Sequence, residues 1–138
     1  MEQRDYILRE IEKIGLIMRT ILNKLIGKKN NQETITKKQF KEEKDLLLGE
    51  TGFDLDLFLA SDETESLEYI DRFKGLNTQN LEILAEIIYQ YAEEDIENNR
   101  PLLEKALAIY ILCNVKDMTY SFSRELKISL IKDILNDL

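Results

Sequence analysis

Carboxylates are the residues of this chain with the clearest capacity for chemistry. Glu65, Glu68 and Asp71 recur at three-residue intervals, which on a helix sets them along one side. Glu93, Glu94 and Glu97 form a second acidic cluster towards the end of a later helical stretch. Two helices presenting such side chains can hold Mg2+, a hard cation that takes oxygen ligands. The second cluster also falls where a helix dipole disfavours anions, so a cation or a basic partner there would relieve repulsion. Acidic triplets are equally ordinary on solvated helix faces, and the sequence assigns neither a metal nor another cofactor. Asp54, Asp56 and Asp62 do not make a calcium loop, because leucines and phenylalanines interrupt them and the required glycine is missing.

Other chemistry is removed by composition. The chain has no histidine and one cysteine. That takes away the usual general base, the commonest metal ligand and any Ser-His or Cys-His nucleophile pair. It also takes away a structural zinc site and the Glu-x-x-His motif of di-iron bundles. Five scattered glycines build no phosphate-cradling loop. Cys113 lies on the apolar side of its helix and reads as a small core residue. No catalytic residue is assigned, and the chain is not expected to be an enzyme.

The acidic clusters need helices to carry them, and the chain reads as all-α. Ile7, Ile11, Ile14, Met18, Ile21 and Leu25 alternate spacings of four and three across a first helix from Arg4 to Ile26. Leu8, Leu22 and Ile26 widen this seam, and Gly27 is the expected stop. Thr36 with Gln39 reads as a capping box opening a second helix to about Leu48, with a break between Gly49 and Gly52. The alternation from Phe53 to Leu59 has no second strand to pair with, so a short helix is expected there. Ser61-Asp62 caps a further helix with Leu67, Ile70 and Phe73 or Lys74 inward, ending at Gly75.

The last part, 78–138, reads as a helical-hairpin region. Leu81, Leu84, Ile87 or Ile88 and Tyr91 mark a helix from Thr78 to Asp95. Pro101 opens the next, where its missing N–H costs nothing. Asp117 is the expected cap of a final helix bearing Phe122, Leu126, Leu130, Ile131, Ile134 and Leu138. The expectation is one domain over 1–138, an antiparallel bundle or short hairpin array with five substantial helices and one or two short ones. Its core should hold Ile11, Ile14, Met18, Ile21, Leu84, Ile88, Leu103, Ala106, Leu107, Tyr110, Leu126, Ile131 and Ile134.

Charge bounds the partners. The net charge is −8 at pH 7, but it is unevenly spread. Residues 1–44 carry eleven Lys/Arg against seven Asp/Glu, residues 45–100 three against fifteen, and the remainder five of each. The basic cluster from Lys24 to Lys44 has only Phe40 among its lysines as an aromatic, and the body is acidic, so nucleic acid is not the favoured partner. The polar face of the first helix mixes acids with bases, which disfavours a membrane surface. No apolar run approaches the roughly 20 residues of a membrane span. The polar start of the chain has no signal-peptide core, so the expected location is the cytoplasm.

Three resemblances accompany these residues. Ala106-Leu-Ala-Ile-Tyr110-Ile-Leu-Cys113, with Leu84-Ala85 and Ile88 before it, resembles one degenerate tetratricopeptide-like helical hairpin and implies helix-pair packing. Arg4-Asp-Tyr-Ile-Leu-Arg-Glu-Ile-Glu followed by Leu25-Ile-Gly-Lys resembles the opening of an uncharacterised bacterial family of small all-helical proteins. The paired acidic helices are similar in kind to those of all-helical nucleotide pyrophosphohydrolases, and imply a metal-dependent hydrolase as the alternative function. The favoured function is a helical protein-interaction or scaffold module, with the seam Ile7, Ile11, Ile14, Met18, Ile21 and Leu25 as the interface of a homodimer.

Overall fold

The computed structural model describes residues 2–138, which form seven α-helices with no strand among them. In chain order these are α1 (Glu2–Asn30), α2 (Lys37–Thr51), α3 (Leu55–Ala60), α4 (Glu63–Asp71), α5 (Thr78–Ala92), α6 (Arg100–Asp117) and α7 (Phe122–Asn136). The all-α expectation holds, with α3 and α4 as the short elements. α5 lies at the centre, packed against α1 on one side and α6 on another; α7 lies on α6, and α2 on α1 and α3. Every helix contributes to a single apolar core.

Local signals explain most of the boundaries. Thr36, Asp54, Asp62, Asn77 and Ser121 each accept a hydrogen bond from a backbone N–H in the first turn of the helix they precede. Such a cap is worth about 0.5–2 kcal/mol. Asp62 and Glu65 complete a reciprocal capping box, whereas the Gln39 side chain turns forward to Glu43 instead of back to Thr36. Pro101 stands in the first turn of α6.

Several expected boundaries move. Gly27 and Gly49 do not stop their helices, which run on to Asn30 and Thr51. α1 ends in a Schellman-type turn: Gln32 takes a left-handed φ of 58°, and Glu33 N–H donates to Lys28 O at 2.7 Å. α2 ends at Gly52, whose φ of 79° suits glycine. α5 stops at Ala92, short of Asp95. Asp117 closes α6 instead of capping the last helix, and Ser121 takes that role.

Gly75 does not end α4 either; it permits a close approach. A Cβ there would lie 2.7 Å from Glu10 O of α1. Asn80, 2% exposed, holds the same junction by donating to Ile11 O at 3.0 Å and to Gly75 O at 2.8 Å. Gly15 leaves room for it, since a Cβ at that position would meet Asn80 Oδ1 at 2.9 Å. α1 and α5 therefore meet through backbone and a buried amide, flanked by Ile14, Met18, Leu81 and Leu84.

α7 shows the largest departure from its expected packing. Arg124 is 4% exposed. Its Nε donates to Glu82 Oε1 at 2.6 Å, Nη1 to Asn114 Oδ1 at 2.9 Å and Nη2 to Asp117 Oδ2 at 3.1 Å. One turn on, Lys127 Nζ lies 3.3 Å from Glu86 Oε2, which also accepts the Tyr110 hydroxyl at 2.8 Å. Burial, with Glu86 adding to it, pushes the Tyr110 phenol well above its ordinary range, so it remains a donor. A buried guanidinium left unpaired would cost several kcal/mol, so these partners fix the rotation of the helix. Ile128 and Ile131 face inward, the latter as expected, while Phe122, Leu126, Leu130 and Leu138 are exposed; for Leu126 that is contrary to expectation. Leu67 of α4 is likewise exposed, and Ile11, Leu107 and Ile134 are half-buried.

Replacing Gly75 with Ala should destabilise the protein by about 1–3 kcal/mol, because the clash is with backbone that cannot move aside. Gly49→Ala, with open space around it and a helical backbone, should leave stability unchanged or raise it. Urea unfolding of the two variants checks this; equal midpoints would contradict the close approach.

Candidate functional site

An apolar groove runs between α4 and α6, floored by α3. The two helices stand apart along it, and α3 is the element that reaches across to α6. Ala108, Ile111, Leu112 and Val115 form one wall, Leu67 and Ile70 the other. The groove has a volume of about 720 Å3. Pro101 and Val115 mark its ends along α6, which at the α-helical rise is roughly 21 Å. Ile111, Val115 and Leu67 are 42%, 68% and 42% exposed, so their apolar surface is open to solvent.

Polar groups sit at the ends and on the floor. Glu63 and Glu104 line the end near Pro101, while Lys116 and Asp71 approach to 3.8 Å across the other end. On the floor, Lys105 Nζ donates to Ser61 O at 2.8 Å and Ser66 Oγ at 2.7 Å, and lies 4.9 Å over the Phe58 ring. Burial pulls the Lys105 ammonium below the ordinary lysine range, with Asp62 and Glu65 opposing that pull. An aromatic group of Phe53, Phe58, Tyr69 and Phe73, with ring centroids 5.1–5.5 Å apart, holds α3 and α4 in place beneath it. The groove is thus preformed. Ile111 and Val115, one turn apart and absent from the expected core, were its only trace in the sequence.

The acidic candidates stay dispersed. Glu65 is engaged in the capping box, Asp71 faces Lys116, and Glu68 is exposed. Glu93 pairs with Lys29 at 2.8 Å, and Glu94 and Glu97 point to solvent. Among the described residues, no three His, Cys, Asp or Glu side chains converge as a metal site would require. Of the seam residues offered as a dimer interface, Ile14, Met18, Ile21 and Leu25 lie at 0–2% exposure in this chain's own core. Ile7 and Ile11 are half-buried. The widening residues Leu8 and Ile26 remain exposed.

The basic cluster contributes a second, polar cleft of about 520 Å3 between the end of α1 and α2, lined by Lys24, Lys28, Lys38, Gln39 and Glu43 among others. Glu43 is 7% exposed. It accepts from Tyr91 Oη and from Gln39 Nε2, the latter at 2.9 Å. The Tyr91 ring stacks on Phe40 at 3.8 Å, and Lys44 Nζ lies 4.3 Å from the Phe40 centroid. Burial raises the Glu43 carboxyl above its ordinary value, outweighing the Gln39 hydrogen bond and the Lys24 and Lys28 charges. Cys113 is fully buried, its Sγ 3.7 Å from Thr78 O. Burial, then the nearby Glu82 charge, pushes its thiol up to about 12.

Compared with protein-family models, curated proteins and solved structures, the chain has no significant match. No helix among the described residues is long and apolar enough to cross a membrane.

Two outcomes follow from the buried titratable groups. The native state holds the Glu43 proton more tightly than the unfolded chain does. Its favourable contribution is therefore complete below 4.5 and is lost as pH rises through the raised native value. Glu43→Gln should raise the melting temperature at neutral pH, with the gain shrinking as pH falls towards 4.5; a less stable variant at neutral pH would contradict this. Cys113 should react with a thiol reagent only as fast as the protein opens, so labelling in dilute urea should track unfolding; rapid labelling of the native protein would contradict its burial.

Proposed function

We propose that this chain is a non-enzymatic helical interaction module whose α4–α6 groove receives an amphipathic helix bearing basic residues. The observation that carries this reading is the groove itself: walls of exposed Leu67, Ile111 and Val115, about 21 Å along α6, the length of roughly four helical turns. An apolar helix face laid into such a trough, anchored at positions i, i+3 or i+4 and i+7, is a recurring mode of peptide recognition. Charge selects among occupants. Glu63 stands at one end beside Glu104, which pairs with Arg100 at 2.9 Å, and the stretch 45–100 that contains α4 carries fifteen acids against three bases. A helix with lysines flanking its apolar stripe is therefore drawn in, and an acidic one is repelled.

A fluorescein-labelled Leu/Lys helical peptide, titrated by anisotropy, tests this, with a Leu/Glu peptide as control. Ile111→Asp makes the protein more acidic yet should weaken Leu/Lys binding about tenfold or more, because it puts a charge on the apolar wall. Equal or tighter binding by that variant would mean that the peptide is held by bulk charge alone, and would overturn the groove as the site.

A further inference from the structure

α7 presents an apolar ridge that its own chain cannot cover. Phe122, Leu126 and Leu130 follow one another at four-residue spacing and are 66%, 55% and 44% exposed. Turning them inward would pull Arg124 away from Glu82, Asn114 and Asp117, so the ridge is held outward by the buried ion pairs. Met118 and Tyr120, at 89% and 74% exposure, extend it across the α6–α7 turn.

We propose that this ridge is the contact face of a two-fold homodimer, in which α7 of one copy packs antiparallel on α7 of a second. Three observations select a second copy as the occupant. The first is charge: residues 118–138 carry three bases and three acids, while the chain as a whole carries −8. A face without net charge does not repel its own copy, and a strongly charged partner gains nothing there. The second is self-complementarity. With the axis at Leu126, Phe122 of each copy meets Leu130 of the other, and the helix dipoles oppose. The third is area. The exposed parts of these five side chains amount to roughly 600–700 Å2 per copy, close to the about 800 Å2 per partner of a stable specific interface. The pairing uses neither α4 nor the groove wall of α6, so it does not rest on the proposed peptide site.

Sedimentation equilibrium of the full chain tests it. The wild-type protein should have the mass of two chains, and high salt should leave that mass unchanged, because the contact is apolar. Leu126→Asp and Leu130→Lys, both at exposed positions, should each give a monomer with unchanged helical circular dichroism, while Ile111→Asp in the groove stays dimeric. A wild-type monomer at the highest attainable concentration would overturn the proposal. So would a dimer that survives both α7 substitutions, or one that Ile111→Asp dissociates.

Discussion

The ion pair between Arg124 and Glu82 is the constraint on which the outer form of this molecule depends. A guanidinium that is 4% exposed must keep all its partners, and those partners sit on α5 and α6. The helix that carries it is thereby fixed in rotation as well as position. Apolar packing alone would not choose that rotation, since α7 has isoleucines on one side and Phe122, Leu126 and Leu130 on the other. Electrostatics decides what the hydrophobic effect leaves open, and the outcome is a surface helix with its apolar ridge facing solvent. Breaking one member of a buried pair leaves the other charge stranded, which is why such pairs position elements firmly even where their net stabilisation is small.

The other end of the fold is positioned by contact at close range. At the crossing of α1 and α5, Gly15 and Gly75 remove side chains so that Asn80 can reach two carbonyls, one on α1 and one in the α4–α5 connection. That junction places α4 relative to α5, and α5 carries α6, so it also sets the width of the groove. The aromatic group under α3 and α4 completes the support. Structure and proposed function meet here: a trough that is to accept a helix must be open before the helix arrives, and rigid packing beneath it keeps the ordering cost of binding low.

How far the sequence disclosed this differs from element to element. The alternating spacings along α1 placed Ile14, Met18 and Ile21 in the core, because a long regular pattern has one consistent inner face; Leu25, expected only at a dimer interface, is buried with them. The caps at Thr36 and Asp62 and the proline at the start of α6 were equally legible, since each acts within four residues of itself. Glycine was a poorer guide. Gly27 and Gly49 sit inside helices that run past them with open space at both positions, and Gly75 answers to a backbone carbonyl 65 positions earlier in the chain. The phase of α7 was only partly readable: Ile131 is buried as expected but Leu126 is not, because the rotation depends on Glu82, a residue two helices away. The groove was hidden for the same reason, its two walls being distant in sequence. The acidic clusters stood out by spacing, yet each belongs to a solvated face or to a local ion pair.

The most direct test of this account is a double-mutant cycle on the pair that turns α7. Arg124→Met, Glu82→Gln and the double variant, compared by urea unfolding with wild type, isolate the interaction between the two residues. If the ion pair sets the rotation of the helix, the coupling energy should be about 1–3 kcal/mol, with each single variant losing more than half of what the double variant loses. Losses that add to within about 0.5 kcal/mol would show that the two residues act independently. The orientation of α7, and with it the exposed ridge, would then need another cause.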